Sequence, residues 1–297
     1  MAYDQEVGTA NLRAEFVDGA VKGFANAMYK FKQALTITST AAWKNTYYRE
    51  KSDPLSSAGG LSTKVPRGGQ PAQGSVTWSE QNAWVEKFFY EDVIMWEDIL
   101  TDDIDVQSRT LYRISEKITK DVDDTIWAVL SESASATATF TATAIQSVTI
   151  ADTKHWTGSS AAIIDDLMNA KTLIAQSNYD TGNCMCFLNP RDYRSIVKWI
   201  TDKGAQFVQL SNEIARNGRV PSIAGFTFVV SNSVTASHAL VCVPKICATW
   251  KEAVSFRTTT IEDPYVSLKI RATEEGVTQL TDPNAVCIIN NTRGDDT

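Results

Sequence analysis

The stretch Asp102–Ser133 reads "DDIDVQSRTLYRISEKITKDVDDTIWAVLSES". Ile104, Leu111, Ile114, Ile118, Val122, Ile126 and Val129 recur at spacings of three, four or seven, which puts them on one apolar helix face. Arg113, Glu116, Lys117, Lys120, Asp123 and Asp124 form the other face and read as solvated charges. Asp102, Asp103 and Asp105 cluster at the start, where negative charge suits the helix dipole. The spacing predicts a helix over Asp103–Leu130, roughly 40 Å long at 1.5 Å per residue. A helix so far beyond the usual three turns tends to span a whole domain.

Upstream of it, "LTITST" alternates apolar and hydroxyl residues, and "AAWKNTYYRE" continues in extended style to Glu50. Ser75–Tyr90 is again strand-like, with Val76 and Trp78 alternating against Thr77 and Ser79. Between these arms lies "DPLSSAGGLSTKVPRGGQPAQGS", Asp53–Ser75, rich in glycine, serine and proline. Two arms and a turn-rich tip predict a long hairpin whose tip far exceeds a compact turn. A two-stranded ribbon is not stable alone, and its aromatic surface needs a partner, most simply another copy of the chain. The contact residues this assigns to the loop are Trp43, Tyr47, Tyr48, Leu61, Lys64, Arg67, Trp78 and Trp84. Further upstream, Leu12, Phe16, Ala20, Phe24, Met28 and Phe31 recur at helical spacing over Asn11–Lys32. That segment is either a core helix or a terminal arm docked elsewhere.

Downstream, "ASATATFTATAIQSVTI" alternates alanine and threonine as one or two strands. From Ser159 the texture becomes helix–strand alternation. "SSAAIIDDLMNAKTLIAQSNY" reads as a helix with a serine cap. "NCMCFLNP" is a buried strand, "RDYRSIVKWITDKG" a helix, and "GFTFVVSNSV" and "ALVCVP" are strands. Ser159–Val254 thus forms an α/β unit. "VSFRTTTIE", "YVSLKIRATEEGVTQL" and "AVCIIN" supply the closing strands.

Composition narrows the chemistry. A net charge of −7 over 297 residues argues against a broad basic grip on nucleic acid. No basic region followed by an apolar run opens the chain, and no apolar stretch approaches a membrane span, so a soluble cytoplasmic product without membrane partners is expected. The five cysteines, Cys184, Cys186, Cys242, Cys247 and Cys287, lie among apolar neighbours and read as buried free thiols. The close Cys184–Cys186 spacing and only two histidines, His155 and His238, do not make a zinc site. His238 precedes Cys242 by four residues, so a Cys/His-dependent enzyme is a distant alternative, but no nucleophile elbow surrounds either residue. Asp165–Asp166 reads as helix-start charge. "GGLSTK" and "PRGGQPAQG" match no phosphate-loop pattern, and "NGRVPSIAG", with Arg219 inside it and Arg216 just before it, reads as a surface loop. No catalytic residue, cofactor or metal is assigned.

The order of these features resembles the major capsid proteins of tailed double-stranded DNA viruses, with the Hong Kong 97-type fold. The likeness lies in "SRTLYRISEKITKDVDDTIWAVL" directly after a hairpin and tip, in "FLNPRDYRSIVKWITDKG", in "VPSIAGFTFVVSNSV" and in "KIRATEEGVTQLTDPNAVCIIN". It covers nearly the whole chain. It implies an α+β fold with an N-terminal arm at 1–34, carrying Phe16, Phe24 and Phe31 as contacts, and an extended loop at 35–99. A peripheral domain would comprise 100–158 and 255–282, with its spine helix at 103–130. An α/β axial domain would comprise 159–254 and 283–297.

The resemblance further implies self-assembly through hexamers and pentamers into an icosahedral virion capsid, built in the host cytoplasm. Neighbouring capsomers, portal, scaffolding and decoration proteins would be partners, with packaged DNA enclosed without sequence-specific binding. The short lead before the arm implies a separate scaffold or none. A bacterial encapsulin-type nanocompartment, which shares the fold, is the alternative. Some members join a loop lysine to an asparagine with help from a glutamate. Lys64, Asn284, Asn290, Asn291, Glu274 and Glu275 do not align with that set, and no crosslink is expected.

Overall fold

A computed structural model describes residues 29–50, 67–69, 78–97, 106–132, 145–204 and 206–293. Most of the expected Asn11–Lys32 helix and Asp53–Ser75 tip, the acidic cluster Asp102, Asp103 and Asp105, and most of the Ala/Thr run lie outside the described residues.

The long helix is α1, Val106–Leu130. Leu111, Ile114, Ile118, Val122, Ile126, Trp127 and Leu130 are buried along one face. α1 lies against a four-stranded sheet ordered β1-β9-β10-β4, packing on β4 and β10. Its strands are β1 (Thr36–Ser39), β4 (Glu86–Met95), β9 (Thr249–Asp263) and β10 (Ser267–Gln279). Gly276, at a bulge between β9 and β10, is where Trp250 crosses the sheet. A Cβ there would lie 2.3 Å from the indole, so no other residue fits without displacing that ring.

A second sheet is ordered β5-β11-β8-β6-β7. It comprises β5 (Gln146–Thr149), β6 (Cys184–Leu188), β7 (Phe226–Val230), β8 (His238–Cys242) and β11 (Val286–Asn290). The central strands β6, β8 and β11 are buried almost throughout, as their unbroken apolar runs require. Helix α2 (Ile163–Gln176) covers β11, β5 and β8, while α3 (Pro190–Asp202) and α4 (Val208–Asn217) pack on each other. All five cysteines are buried and free. Burial pushes the Cys287 thiol up to about 12, so it stays protonated at neutral pH.

The hairpin is narrower than the sequence suggested. Among the described residues, only β2 (Lys44–Glu50) and β3 (Trp78–Trp84) form a separate two-stranded ribbon, with Lys44 opposite Trp84 and Glu50 opposite Trp78. Thr36–Ser39 runs parallel to β9, and Glu86–Met95 pairs antiparallel with β10. Local pattern cannot distinguish these partners, because it marks a segment as extended without saying which distant strand it meets. Likewise β5, expected in the peripheral domain, joins the five-stranded sheet beside β11, and Thr249–Val254, expected in the axial domain, opens β9. Helix α2 begins at Ile163 behind Ala162 with no side-chain cap, so the serine cap is corrected. α4 was missed from sequence. It ends at Gly218 in the left-handed conformation, φ 65°, which only glycine adopts without strain.

Candidate assembly surfaces

The ribbon has two unlike faces, because alternate residues along a strand point to opposite sides. One face carries Lys44, Thr46, Tyr48, Trp78, Glu80, Asn82 and Trp84, all exposed. Trp78 and Trp84 are each 58% open and Tyr48 60%, while Trp43, just before the ribbon, is 56% open. Lys44 lies over the Trp84 ring, 5.8 Å from its centre. Such large rings usually bury their surface, and among the described residues nothing covers these.

The opposite face, with Tyr47 and Arg49 half-buried, is tied to the subunit. Arg49 Nη1 donates to Glu132 Oε1 at 2.8 Å, and Nε donates to the Leu280 carbonyl at 3.1 Å. Arg49 thus pins the ribbon between the end of α1 and the strand exit of β10, fixing the direction in which the aromatic face looks. Arg67 is exposed, and Leu61, Lys64, Phe16 and Phe24 lie outside the described residues.

The root of the N-terminal segment is a second built site. Phe31 was assigned to a contact with a neighbour, but it is wholly buried in its own subunit. Its ring stacks on Phe187 at 4.3 Å and tilts against Trp127 at 6.0 Å, joining β6 to α1. Helical spacing identified Phe31 as apolar but could not say which surface it would meet. Beside it, Glu274 of β10 is fully buried and accepts from the Tyr29 hydroxyl and the Lys32 ammonium. Burial first, and the Glu274 charge second, push the Tyr29 hydroxyl far upward, so it acts as a permanent donor. Lys32 Nζ also lies 4.8 Å from the Trp250 ring centre. Glu275, next in line, pairs with Lys87 at 3.5 Å on the surface. Asn291 donates to the Ile150 carbonyl at 3.0 Å and Asp152 Oδ1 at 2.8 Å, in the five-stranded region.

Asp123, read from sequence as a solvated charge, is also corrected. It is buried and accepts from the backbone amides of Lys30 at 3.0 Å and Phe31 at 3.3 Å. Burial pushes its carboxyl up to about 6, against the opposing pull of those amides. The native state then holds the proton more tightly than the unfolded chain. Stability from this group is fully present below about pH 4 and is lost as pH rises through 6. Asp123→Ala orphans the buried Phe31 amide and the half-buried Lys30 amide and should cost about 2–4 kcal/mol near pH 4.5. The cost should shrink near pH 7.5, where the wild type must hold a buried charge. Urea unfolding of unassembled subunits at both pH values measures this, and a cost that grows with pH would contradict it.

The catalytic alternative finds no geometry. His238 and Cys242 stand at opposite ends of β8, roughly 13 Å apart at strand rise. His238 Nδ1 is 2.9 Å from the Ala236 carbonyl, and Cys242 is wholly buried against Cys247. His155 Nδ1 is 3.0 Å from the Asn291 carbonyl. Among the described residues no group of three or more His, Cys, Asp or Glu is placed to hold a metal, and no helix is long and apolar enough to cross a membrane.

Solved structures share this arrangement at low identity. The capsid of cyanophage P-SCSP1u superposes with a TM-score of 0.62 at 14% identity, covering 89% of this chain and 88% of that one. The virus-like particle from Pyrococcus furiosus gives 0.60 at 12%, covering 94% and 99%. Mycobacterium phage Che8 gives 0.59 at 12%, covering 85% and 86%. No curated protein matches the sequence. The profile of the phage capsid protein family matches residues 93–289, about two-thirds of the chain, from β4 through nearly all of β11. With its long helix against one sheet, its second helix-covered sheet and its projecting ribbon, the chain belongs to the phage capsid protein family: a shell-forming structural protein of the Hong Kong 97-type fold, not an enzyme.

Proposed function

We propose that the chain is the major capsid protein of a tailed virus, assembling in the host cytoplasm through hexamers and pentamers into an icosahedral shell around double-stranded DNA. The observation that carries this reading is the ribbon. One face is pinned to the subunit by Arg49, and the other presents Trp78, Trp84 and Tyr48 to a neighbour. Trp43 and Arg67 flank that contact, and the glycine-rich tip, with Leu61 and Lys64, completes it. Glycine and proline suit a tip that must settle on slightly different neighbours at hexamers and at pentamers. Phe16 and Phe24 extend the contact through the N-terminal arm. Portal, scaffolding and decoration proteins would bind the assembled lattice.

A nanocompartment is the second reading, favoured by the likeness to the Pyrococcus furiosus virus-like particle over nearly all of that chain. Nuclease treatment of particles from the native source separates the two. Protected duplex DNA inside the shell is the expected result, and particles holding protein cargo without DNA would overturn the viral reading.

A further inference from the structure

Helix α3 carries Arg191, Arg194 and Lys198 at positions i, i+3 and i+7, which places all three on one exposed face. Arg293, just beyond β11, joins them. With Trp156, Thr157 and Ser195 they line a groove of about 300 Å³ that contains no acidic residue. Among the described residues, Arg191, Arg194 and Lys198 enter no ion pair. The nearby Asp192 is wholly buried beneath the helix, where its Oδ1 accepts from the Thr292 hydroxyl at 3.0 Å. Four cations converging on one concave site stand out in a chain with 28 Lys and Arg against 35 Asp and Glu.

We propose that this groove binds the phosphate backbone of nucleic acid, so that each subunit touches the enclosed duplex at one localised point. The source of the phosphate rests on the shell reading, while the anion chemistry rests on the groove. Arginine presents a planar fork that grips phosphate oxygens in pairs, and lysine adds a mobile point charge. The stripe from Arg191 to Lys198 is roughly 10 Å long at 1.5 Å per residue. A duplex carries one charge per about 1.7 Å of axis, so that length faces several phosphates. Backbone contacts of this kind read no sequence. An acidic segment of a neighbouring copy fits less well, because several surface acids are already paired and those left exposed, such as Glu80, Asp165, Asp202 and Glu213, are spread over different elements. Glu91 pairs with Arg271, Glu116 with Arg113, Asp121 with Lys117 and Glu275 with Lys87. Glu262 and Asp263 at the β9–β10 turn would offer only two carboxylates to four cations.

The test uses the full-length protein and a short labelled duplex of mixed sequence. The triple variant Arg191→Gln, Arg194→Gln, Lys198→Gln should melt like the wild type but bind at least tenfold more weakly. Its slope of log affinity against log salt, between about 50 and 200 mM, should be shallower by about 2.7. A charge-matched control, Lys87→Gln, Lys117→Gln, Arg257→Gln, should change binding less than twofold. Equal losses in both triples would overturn the groove as a site. Polyglutamate bound as tightly as duplex, with the same loss in the triple variant, would reassign it to an acidic peptide and overturn the proposal. Inorganic phosphate that saturates the groove in a protein that ignores duplex would do the same in favour of a free oxyanion. Imaging the triple variant keeps the shell reading separate: particles that form normally without any change in duplex binding sink the groove and leave the shell intact.

Discussion

Trp84→Ala combined with Tyr48→Ala is expected to leave the subunit folded and to abolish particle formation. Both rings lie on the outward face of the ribbon, more than half open, and neither contributes to the subunit's own core. Full burial of such a ring against a neighbour is worth roughly 1.5–3 kcal/mol by its apolar area. In a closed shell every copy loses that contribution at once, so a modest deficit per contact becomes an all-or-none failure of assembly. Removing Ser57–Gly69 from the tip should have the same outcome by shortening the ribbon's reach. Circular dichroism and thermal melting report the fold, and sedimentation velocity reports assembly. Variants that still sediment as full particles would show that the ribbon face is not an interface. Variants that fail to fold would show that the rings serve the subunit.

Glu274→Gln should be among the most damaging substitutions inside the subunit. Glu274 is fully buried, and Lys32, itself nearly buried, has its ammonium directed at that carboxylate. Without the carboxylate, Lys32 loses its contact partner in a site closed by Trp250 and Tyr29 and keeps only the weaker pull of Glu252 and Asp123. Breaking one half of such a pair costs about 3–5 kcal/mol. By contrast, Asp121→Asn on the exposed face of α1 removes a pair with Lys117 that is open to water on both sides, and its effect should stay below about 1 kcal/mol. Urea unfolding of both variants, unassembled, measures the contrast. Equal small effects would mean that the arm root does not depend on the Glu274 pair.

The two sites differ in how far sequence alone could reach them. Outward aromatics on an isolated ribbon were legible, because alternation in "AAWKNTYYRE" and around Trp78 puts rings where no core can follow a glycine-rich tip. The long helix was legible for the same reason, since its apolar stripe is a local property. What escaped was pairing between distant segments. Asp123 looks like any charge on the polar side of a helix, and only the approach of Lys30 and Phe31 from more than 90 residues away turns it into a buried acceptor. Glu274 sits in "RATEEG" beside an ordinary surface glutamate, and strand parity does not reveal that one of the two faces an incoming lysine. Phe31 was recognised as apolar yet given the wrong surface, because periodicity orders a face but does not name what covers it. Strand membership failed similarly: Thr36–Ser39 alternates like the ribbon arms and Glu86–Met95 follows directly on one of them, and their partners β9 and β10 lie some 170–210 positions further along the chain. The basic stripe on α3 was in plain view in "RDYRSIVKW", but Arg293, nearly a hundred residues later, is what closes it into a groove.

The central claim is that this chain builds a closed shell from copies of itself. Electron microscopy of the purified full-length protein, under conditions that promote assembly, tests it most directly. Uniform polyhedral particles with five-fold and six-fold clusters are the predicted result. A protein that remains monomeric in every condition, with its ribbon face still open to solvent, would contradict it.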